Sequence, residues 1–574
     1  LNVLTREIPY EKTLFADVSV GQWNTLKTHA YSGVTGDSTG VLIEGVNVRS
    51  DGFKELDPGG ETGVGRSEFM LKSEWLVRAD HRLELKLGYA TEQSHETYLG
   101  LSASDWEQSP YRRYAASSLG DMEWNRTQAE LEWSGRLGSN VRIRSVAYHH
   151  WLDRSWTKLN GFSGGTDLHA LLQKEPGGQA EVLLAILRGE ENSETPGQLL
   201  QIGTNEREFH SYGLQTTARW RMEPMGENVR SVLEGGVRIH GDHVRRLHTE
   251  DPHAMLEGVL EATGTETITM LDSEATAHAL ALHLHEELSI RDLHIFPGAR
   301  LEVVRGWRED VGSEAADAIT RMTPLPGLGL LWEPGEGAGL FLGAHRGFSP
   351  VAPGQPESVE PESSWNYELG ARFDTGVAYG EAVGFYNDYT NITGQCTFSG
   401  GCTGDDVDRQ FNGGAAQVYG AEVVAGAEVG LVGGLRLPVE MSYALTRSAF
   451  TTNFVSSFPQ FGSVEAGESL PYVPEHQAGL RGGVAHPRWS VSAGITGRSG
   501  MLDQAGSLDE LQIPELWLVD LAVQAQISKA LAMYATGANL TGEDAITSWR
   551  PFGARPTPPR HLAVGLKGTL GAGR

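Results

Sequence analysis

The sequence predicts an all-β protein: a transmembrane antiparallel β-barrel of about 22 strands, with short periplasmic turns and long extracellular loops. Three observations predict it. Apolar and charged residues alternate with period two along the chain, as they do on a strand with two unlike faces. The connections alternate between short and long. No apolar run approaches the roughly 20 residues a membrane-spanning helix needs. Composition agrees, with 574 residues of which 39% are hydrophobic, 8% aromatic and 72 Gly. That is too much glycine for an all-α chain and too little for collagen.

The alternation is explicit in several segments. Val229, Leu233, Val237 and Ile239 share one parity, and Arg230, Glu234, Arg238, His240 and Asp242 share the other. Leu280, Leu282 and Leu284 oppose His283, His285 and Glu287, and Trp517, Val519, Leu521 and Val523 oppose Asp520, Gln524 and Gln526. Short turns are expected at Ser134–Asn140, Glu223–Asn228, Glu333–Gly337 and Val429–Gly434. Long connections are expected at His95–Trp124, Arg154–Asn205, His248–Leu271, Gly394–Asn412 and Phe450–Tyr472. Strands are placed to start at Thr13, Lys27, Gly40, Ser67, Arg82, Asn125, Asn140, Glu206, Asn228, Ser273 and Leu293. The remaining starts are Thr320, Gly339, Ser364, Ala378, Ala415, Gly434, Val473, Arg488, Glu515, Ala530 and His561. So many strands enclose a lumen wide enough that natural examples carry a plug.

One stretch departs from period two. Asp167–Glu191 has helical spacing, with Leu171, Leu172, Val182, Leu183 and Ile186 on apolar stripes, and predicts short helices in an outer loop. Asp167 is placed to cap the first helix and Gly189 to end the second. The loop is read either as packing or as a lid over the pore mouth. Cys396 and Cys402, the two cysteines, sit in a Gly-rich loop. The pair suggests a local disulfide in an oxidising compartment, with two free thiols as the alternative. A zinc site would need two further ligands. Trp124, Trp133, Trp151, Trp220, Tyr386, Tyr389, Trp489, Trp517 and Trp549 fall near strand ends, as girdles at the two membrane interfaces require.

Chemistry narrows the classes further. Lys and Arg number 46 against 74 Asp and Glu, a net charge of −28. Such a chain is a poor partner for phosphodiester backbones, so nucleic acid is excluded. No catalytic constellation is present, no enzyme activity is expected and no cofactor is called for. His283, His285 and Glu287 share a strand face that could ligate a metal, but in a barrel that face meets a polar lumen where charge is ordinary. Glu362 and Glu368 fix no separation suited to acid–base work.

Blocks in the family's order resemble TonB-dependent outer-membrane receptors, most closely the ferric-citrate and siderophore branch. Ala344–Gly376 (AHRGFSPVAPGQPESVEPESSWNYELGARFDTG) is similar to that family's mid-barrel segment. Glu381–Thr393 (EAVGFYNDYTNIT) and Val418–Glu428 (VYGAEVVAGAE) resemble the strands that follow. Pro471–Leu480 and Ala538–Leu570 resemble its last strands, and Leu1–Pro9 (LNVLTREIP) the junction of plug and barrel. The resemblance implies residues 1–11 as the end of a plug, 12–570 as the receptor barrel and 571–574 as a tail. The plug and the energy-coupling box are expected to lie outside this chain, which opens without Met or a basic leader.

The function so implied is TonB-dependent uptake of a scarce ligand, a ferric siderophore or ferric citrate-like chelate, across the outer membrane of a Gram-negative cell. Implied partners are the TonB–ExbB–ExbD system acting through the plug, outer-membrane lipid including lipopolysaccharide, and the iron chelate, with the protein a monomer. The alternative is a plugless barrel acting as a passive or secretory pore. An anionic chelate calls for arginine, whose planar fork grips carboxylates. The candidates near outer strand ends are Arg245, Arg246, Arg305, Arg308 and Arg346, with Trp307 and Tyr389 as aromatic surface.

Overall fold

Strict alternation leaves each strand with one apolar and one polar face. Closing the sheet on itself is the arrangement that pairs every backbone group while keeping those faces apart. The structure, a computed structural model, describes every residue except 1–3, 174–176, 225, 227, 312–317, 398–401, 403–406, 507–511 and 572–574. It is a closed antiparallel barrel of 22 strands. In order these are β1 (Thr13–Gly21), β2 (Leu26–Thr35), β3 (Thr39–Ser50), β4 (Val64–Arg78), β5 (His81–Ser94), β6 (Asp121–Leu137), β7 (Val141–Phe162) and β8 (Leu200–Arg221). There follow β9 (Val229–Leu256), β10 (Ile268–Ile290), β11 (Leu293–Asp310), β12 (Ile319–Gly335), β13 (Ala338–Ser349), β14 (Glu362–Asp374) and β15 (Ala378–Asn391). The last are β16 (Ala416–Gly430), β17 (Arg436–Phe450), β18 (His476–His486), β19 (Trp489–Arg498), β20 (Leu516–Gln526), β21 (Leu531–Ala538) and β22 (His561–Leu570). β22 pairs back onto β1, with Leu14 opposite Leu570, and closes the wall.

One rim carries only short turns, such as 36–38, 79–80, 291–292 and 336–337. Gly337 shows why such a turn is tight: its φ is +75°, and a Cβ there would lie 2.0 Å from the Asp374 carbonyl oxygen. The other rim carries the long loops, among them 95–120, 163–199, 392–415, 451–475 and 539–560. The short-turn rim is the periplasmic one by this asymmetry.

The expected strand starts fall on or near the observed ones; Val473 is three residues early for a strand that begins at His476, and the four starts set too late share a cause. Ser67, Asn125, Glu206 and Ser273 were expected as starts, whereas the strands begin at Val64, Asp121, Leu200 and Ile268. All four lie at the long-loop rim. There β7 to β10 stand well above the bilayer, β9 alone being 28 residues long. About 9–11 residues suffice to cross. Beyond the membrane the outer face no longer needs to be apolar, so alternation fades while the ladder continues.

The expected loop helices form as Leu168–Gln173 and Gln179–Arg188. The Asp167 carboxylate accepts from the Ala170 N–H at 3.1 Å, and Gly189 ends the second helix at φ +79°. Leu171, Leu172, Leu183 and Ile186 are buried while Val182 is exposed. A further helix, Ala103–Gln108, is capped by Ser102. These helices belong to an apolar core that sits in the loops, where Tyr114, Leu172, Ile186, Leu187, Leu200 and Phe552 are almost fully enclosed. Trp549 joins this core instead of a girdle, and Trp124 and Tyr389 fall on the lumen parity of their strands. Cys396 and Cys402 form a disulfide, packed with Phe450, Phe458 and Phe461 in a second cluster.

Outside the wall, girdle residues mark the membrane. Trp133, Trp220 and Trp332 lie toward the short-turn rim. Tyr367, Tyr386 and Tyr419 form a row toward the long-loop rim, with neighbouring ring centroids 6.3 and 6.5 Å apart. Among the described residues no helix is long and apolar enough to cross a membrane.

Candidate functional site

Three arginines face one another across three adjacent strands. Arg154 of β7 is directly opposite Arg207 of β8, which is directly opposite Arg246 of β9. Their parity is that of Arg238 and His240, opposite to the exposed Val237 and Ile239, so all three point into the lumen. Side chains directly opposite in a sheet have Cβ atoms about 5 Å apart, and like charges so placed repel. The row lies beyond the outer girdle, in the wall that stands above the bilayer.

Further cations and rings surround it. Two residues outward on the same face come Trp156 and His248, and two more bring Lys158. Tyr98, from loop 95–120, meets Trp156 edge to face at 4.6 Å. Lys158 Nζ lies 5.4 Å from the Tyr98 ring centre, and the Arg154 guanidinium is 5.8 Å from Trp156 and 5.9 Å from Phe209. Burial, reinforced by Arg207 and Arg154, pushes Lys158 down to about 7. Burial and the same cations with Arg246 push His248 down to about 3, so its ring is neutral. Its Nε2 accepts from Arg207 Nε at 3.2 Å. Burial also lowers Arg207 to about 10, which leaves it charged at neutral pH.

Acids answer only part of this charge. Arg246 Nη1 lies 2.8 Å from Asp408 Oδ2, which loop 392–415 lowers into the mouth. Glu250 accepts from Asn160 at 2.6 Å. The buried Arg154 Nε, Trp156 Nε1 and Arg246 Nε have no hydrogen-bond partner among the described residues. A buried donor left so costs about 1–3 kcal/mol, which an acceptor-rich anion would recover. Two cavities adjoin the row. One of about 410 Å³ is lined by Asn160, Asn205, His248, Glu250, Arg308 and Asp408. One of about 850 Å³ runs down the lumen past Arg126, Phe209, Arg238, Arg246 and Arg300. These sizes suit small-molecule ligands.

The residues singled out in the sequence divide between the two faces. Arg246 and Arg308 face inward: Arg308 lines the smaller cavity alongside Asp408, and Arg246, paired with Asp408, lines the larger one. Arg308 Nε also holds Asp310 at 2.8 Å. Arg245 faces outward, 3.3 Å from both Asp272 and Glu274. Arg305 and Trp307 also face outward, opposite His278 and Thr276. Arg346 shares the outward parity of Leu340 and Leu342 and donates to Ser363 Oγ at 3.2 Å. Tyr389 lies on the lumen face opposite Ser364. His283 and Glu287 have ion-pair partners, Glu234 at 3.6 Å and Arg219 at 2.6 Å. Among the described residues no three His, Cys, Asp or Glu side chains gather as a metal site.

Arg154, Lys158 and Arg207 were not singled out. Arg154 and Lys158 lie in what reads as a long connection, Arg207 sits at the start of the strand expected after it, and only the register of β7 on β8 sets Arg154 against Arg207. The available signal was parity: Arg154 falls in step with Val146, Tyr148 and His150.

A family model described as TonB dependent receptor-like, beta-barrel, matches residues 74–540. Among solved structures, the ferric citrate transporter FecA in its unliganded form is 17% identical, with a TM-score of 0.76, over 99% of this chain and 80% of that one. The siderophore receptor PiuA from Acinetobacter baumannii is 12% identical with a TM-score of 0.77, over 99% and 82%. The ferric-catecholate import receptor Fiu from E. coli K12, in its closed form, is 14% identical with a TM-score of 0.72, over 99% and 83%. At these identities the likeness is one of fold.

Proposed function

The chain belongs to the TonB-dependent receptor β-barrel family, and from that premise we propose that it takes up an anionic ferric chelate of the citrate or siderophore kind. The family is one of outer-membrane transporters and not of enzymes, and it works with TonB. The single observation that supports the ligand class is the opposed row Arg154, Arg207 and Arg246, with its unsatisfied donors. Arginine forks suit carboxylate and catecholate oxygens, and Tyr98, Trp156 and Phe209 supply ring faces for the ligand's carbon framework.

In this reading the ligand replaces Asp408 beside Arg246 and descends into the larger cavity. The proton gradient of the inner membrane, transmitted by TonB through a plug, drives release. The barrel works as a monomer in a Gram-negative outer membrane. Iron-limited growth on ferric citrate or a ferric siderophore, in cells with and without TonB, tests the proposal. Growth that needs both this protein and TonB supports it. Growth that persists without TonB favours a passive pore.

A further inference from the structure

Below the arginine row the lumen wall changes character. Two residues toward the periplasm, Arg154, Arg207 and Arg246 give way to Leu152, Phe209, Val244 and Ala275, directly opposite one another in turn. Arg126 and Arg308 stand at the two ends of this apolar row. From Ala275 the strip turns down β10, where the next lumen-facing positions are Ala277, Ala279 and Ala281. Ala277 and Ala279 lie opposite Gly306 and Val304 of β11, which continue it. Ala275 to Ala279 spans about 14 Å of strand. Barrel lumens are ordinarily polar, so a continuous apolar strip inside one calls for an apolar occupant.

The strip has a roof. Pro350, Val351, Ala352 and Pro353 line the same cavity of about 850 Å³ from the loop side, and a Cβ at Gly306 would lie 3.3 Å from Pro353. Hydrogen bonds fix that loop. The Ala352 N–H donates to Gln410 Oε1 at 2.8 Å, Gln355 Nε2 to the Asp408 carbonyl at 2.9 Å, and Arg321 Nη2 to the Val359 carbonyl at 2.8 Å. A slot between a sheet and a fixed roof is already formed, so filling it costs little ordering.

The slot also has a polar floor whose groups answer one another. Arg238 Nε donates to the Tyr148 hydroxyl at 3.0 Å, Tyr148 shares a hydrogen bond with His240 Nδ1 at 2.7 Å, and His240 Nε2 lies 2.8 Å from Asp242. Arg300 Nε donates to Glu302. With these groups paired, the lower end needs no counterion. An anion's charge is met at the top of the slot, and what descends beneath it meets carbon.

We infer that the anionic chelate taken up by this barrel carries an apolar arm, alkyl or aryl, which lies in the slot between β10 and loop residues 350–353 while the iron-bearing head rests on Arg154, Arg207 and Arg246. The inference rests on the reading of the arginine row as the seat of that head. Ferric citrate, which has no such arm, is then the weaker ligand.

Equilibrium binding to the protein in outer-membrane vesicles, measured against vesicles lacking it, tests this. The probes are the ferric complexes of two citric acid monoamides, N-methyl and N-hexyl, which share iron ligands and charge. A buried methylene multiplies affinity about fourfold, so the N-hexyl chelate is expected to bind at least about tenfold more tightly. Ala277→Gln with Ala279→Gln, which fills the slot with amides, is expected to remove that difference, and Val304→Asn to reduce it. Arg154→Ala is expected to weaken both chelates and keep their ratio. Heat-modifiable gel mobility shows which variants fold. Equal affinity of the wild-type protein for both chelates, with both weakened by Arg154→Ala, overturns the inference and leaves the arginine reading standing. A folded double variant that keeps the full difference overturns it likewise. Binding of neither chelate, or binding that ignores Arg154→Ala, overturns the arginine reading and the inference with it.

Discussion

Arg154 and Arg207 stand directly opposite each other in the β7–β8 ladder, cation against cation, both facing the lumen. Arg246 continues the row on β9, and Asp408 is the carboxylate that reaches it. An arrangement that repels itself in the free protein is suited to holding an anion.

Removing the row should remove the ligand. Arg154→Ala or Arg207→Ala is expected to weaken binding of ferric citrate by about 1.5–3 kcal/mol, roughly ten- to 150-fold, in titration calorimetry. Arg245→Ala, on the outward face, should leave the affinity unchanged.

Lys158 makes binding take up a proton. Held down to about 7 by burial and its neighbouring cations, it is largely neutral at pH 8, and an incoming anion favours its charged form. Calorimetry at pH 8 in buffers of differing ionisation enthalpy should show proton uptake on binding. Lys158→Met should abolish it.

His248 makes the outer wall acid-sensitive. Its pKa falls from 6.5 to about 3 in the folded protein, so between those values the unfolded chain binds more protons. Stability therefore rises with pH across that window and is lost as pH falls from about 6.5 toward 3. Protection of the β8 and β9 amides, taken relative to the intrinsic exchange rate at each pH, should fall in acid, and His248→Gln should lessen the effect.

The loops are fastened by a buried ion pair. Asp503 is fully enclosed, with Arg550 Nε 3.0 Å away and the Tyr472 hydroxyl donating to it. Asp503→Ala leaves Arg550 buried without its carboxylate, a loss of about 3–5 kcal/mol. Limited proteolysis should then cut loops 451–475 and 539–560 while the barrel keeps its heat-modifiable mobility.

The disulfide positions Asp408. The Asp408 N–H donates to the Cys396 carbonyl at 2.8 Å, and Cys396 N–H to the Arg409 carbonyl at 2.8 Å. Closing so small a ring restrains the open loop by about 2 kcal/mol. The double variant Cys396→Ala and Cys402→Ala should raise hydrogen exchange at Val407–Asn412 and leave β15 and β16 protected.

The barrel was legible because a membrane imposes period two wherever the wall touches lipid. Val237, Ile239, Leu280, Leu282 and Leu284 carried that signal and are exposed on the outer face. The site was less legible for two reasons. Arg245 and Arg246 are neighbours in sequence and lie on opposite faces, so a basic pair names no face without the parity of its strand. Arg154, Arg207 and Arg246 are separated in sequence and meet through register, which the long connection expected between Arg154 and Asn205 conceals. The loop helices and their caps were readable because capping is local. The loop core that takes in Trp549 is built from distant segments, and a tryptophan near a strand end carries no mark of which it joins.

The most direct test of the central claim is affinity against ligand charge, measured on the protein in outer-membrane vesicles with ferric chelates of similar size, one anionic and one neutral. The account predicts that the anionic chelate binds at least about tenfold more tightly, and that Arg154→Ala with Arg207→Ala removes the preference. Equal affinity for both chelates, or a preference that survives the double variant, would contradict it.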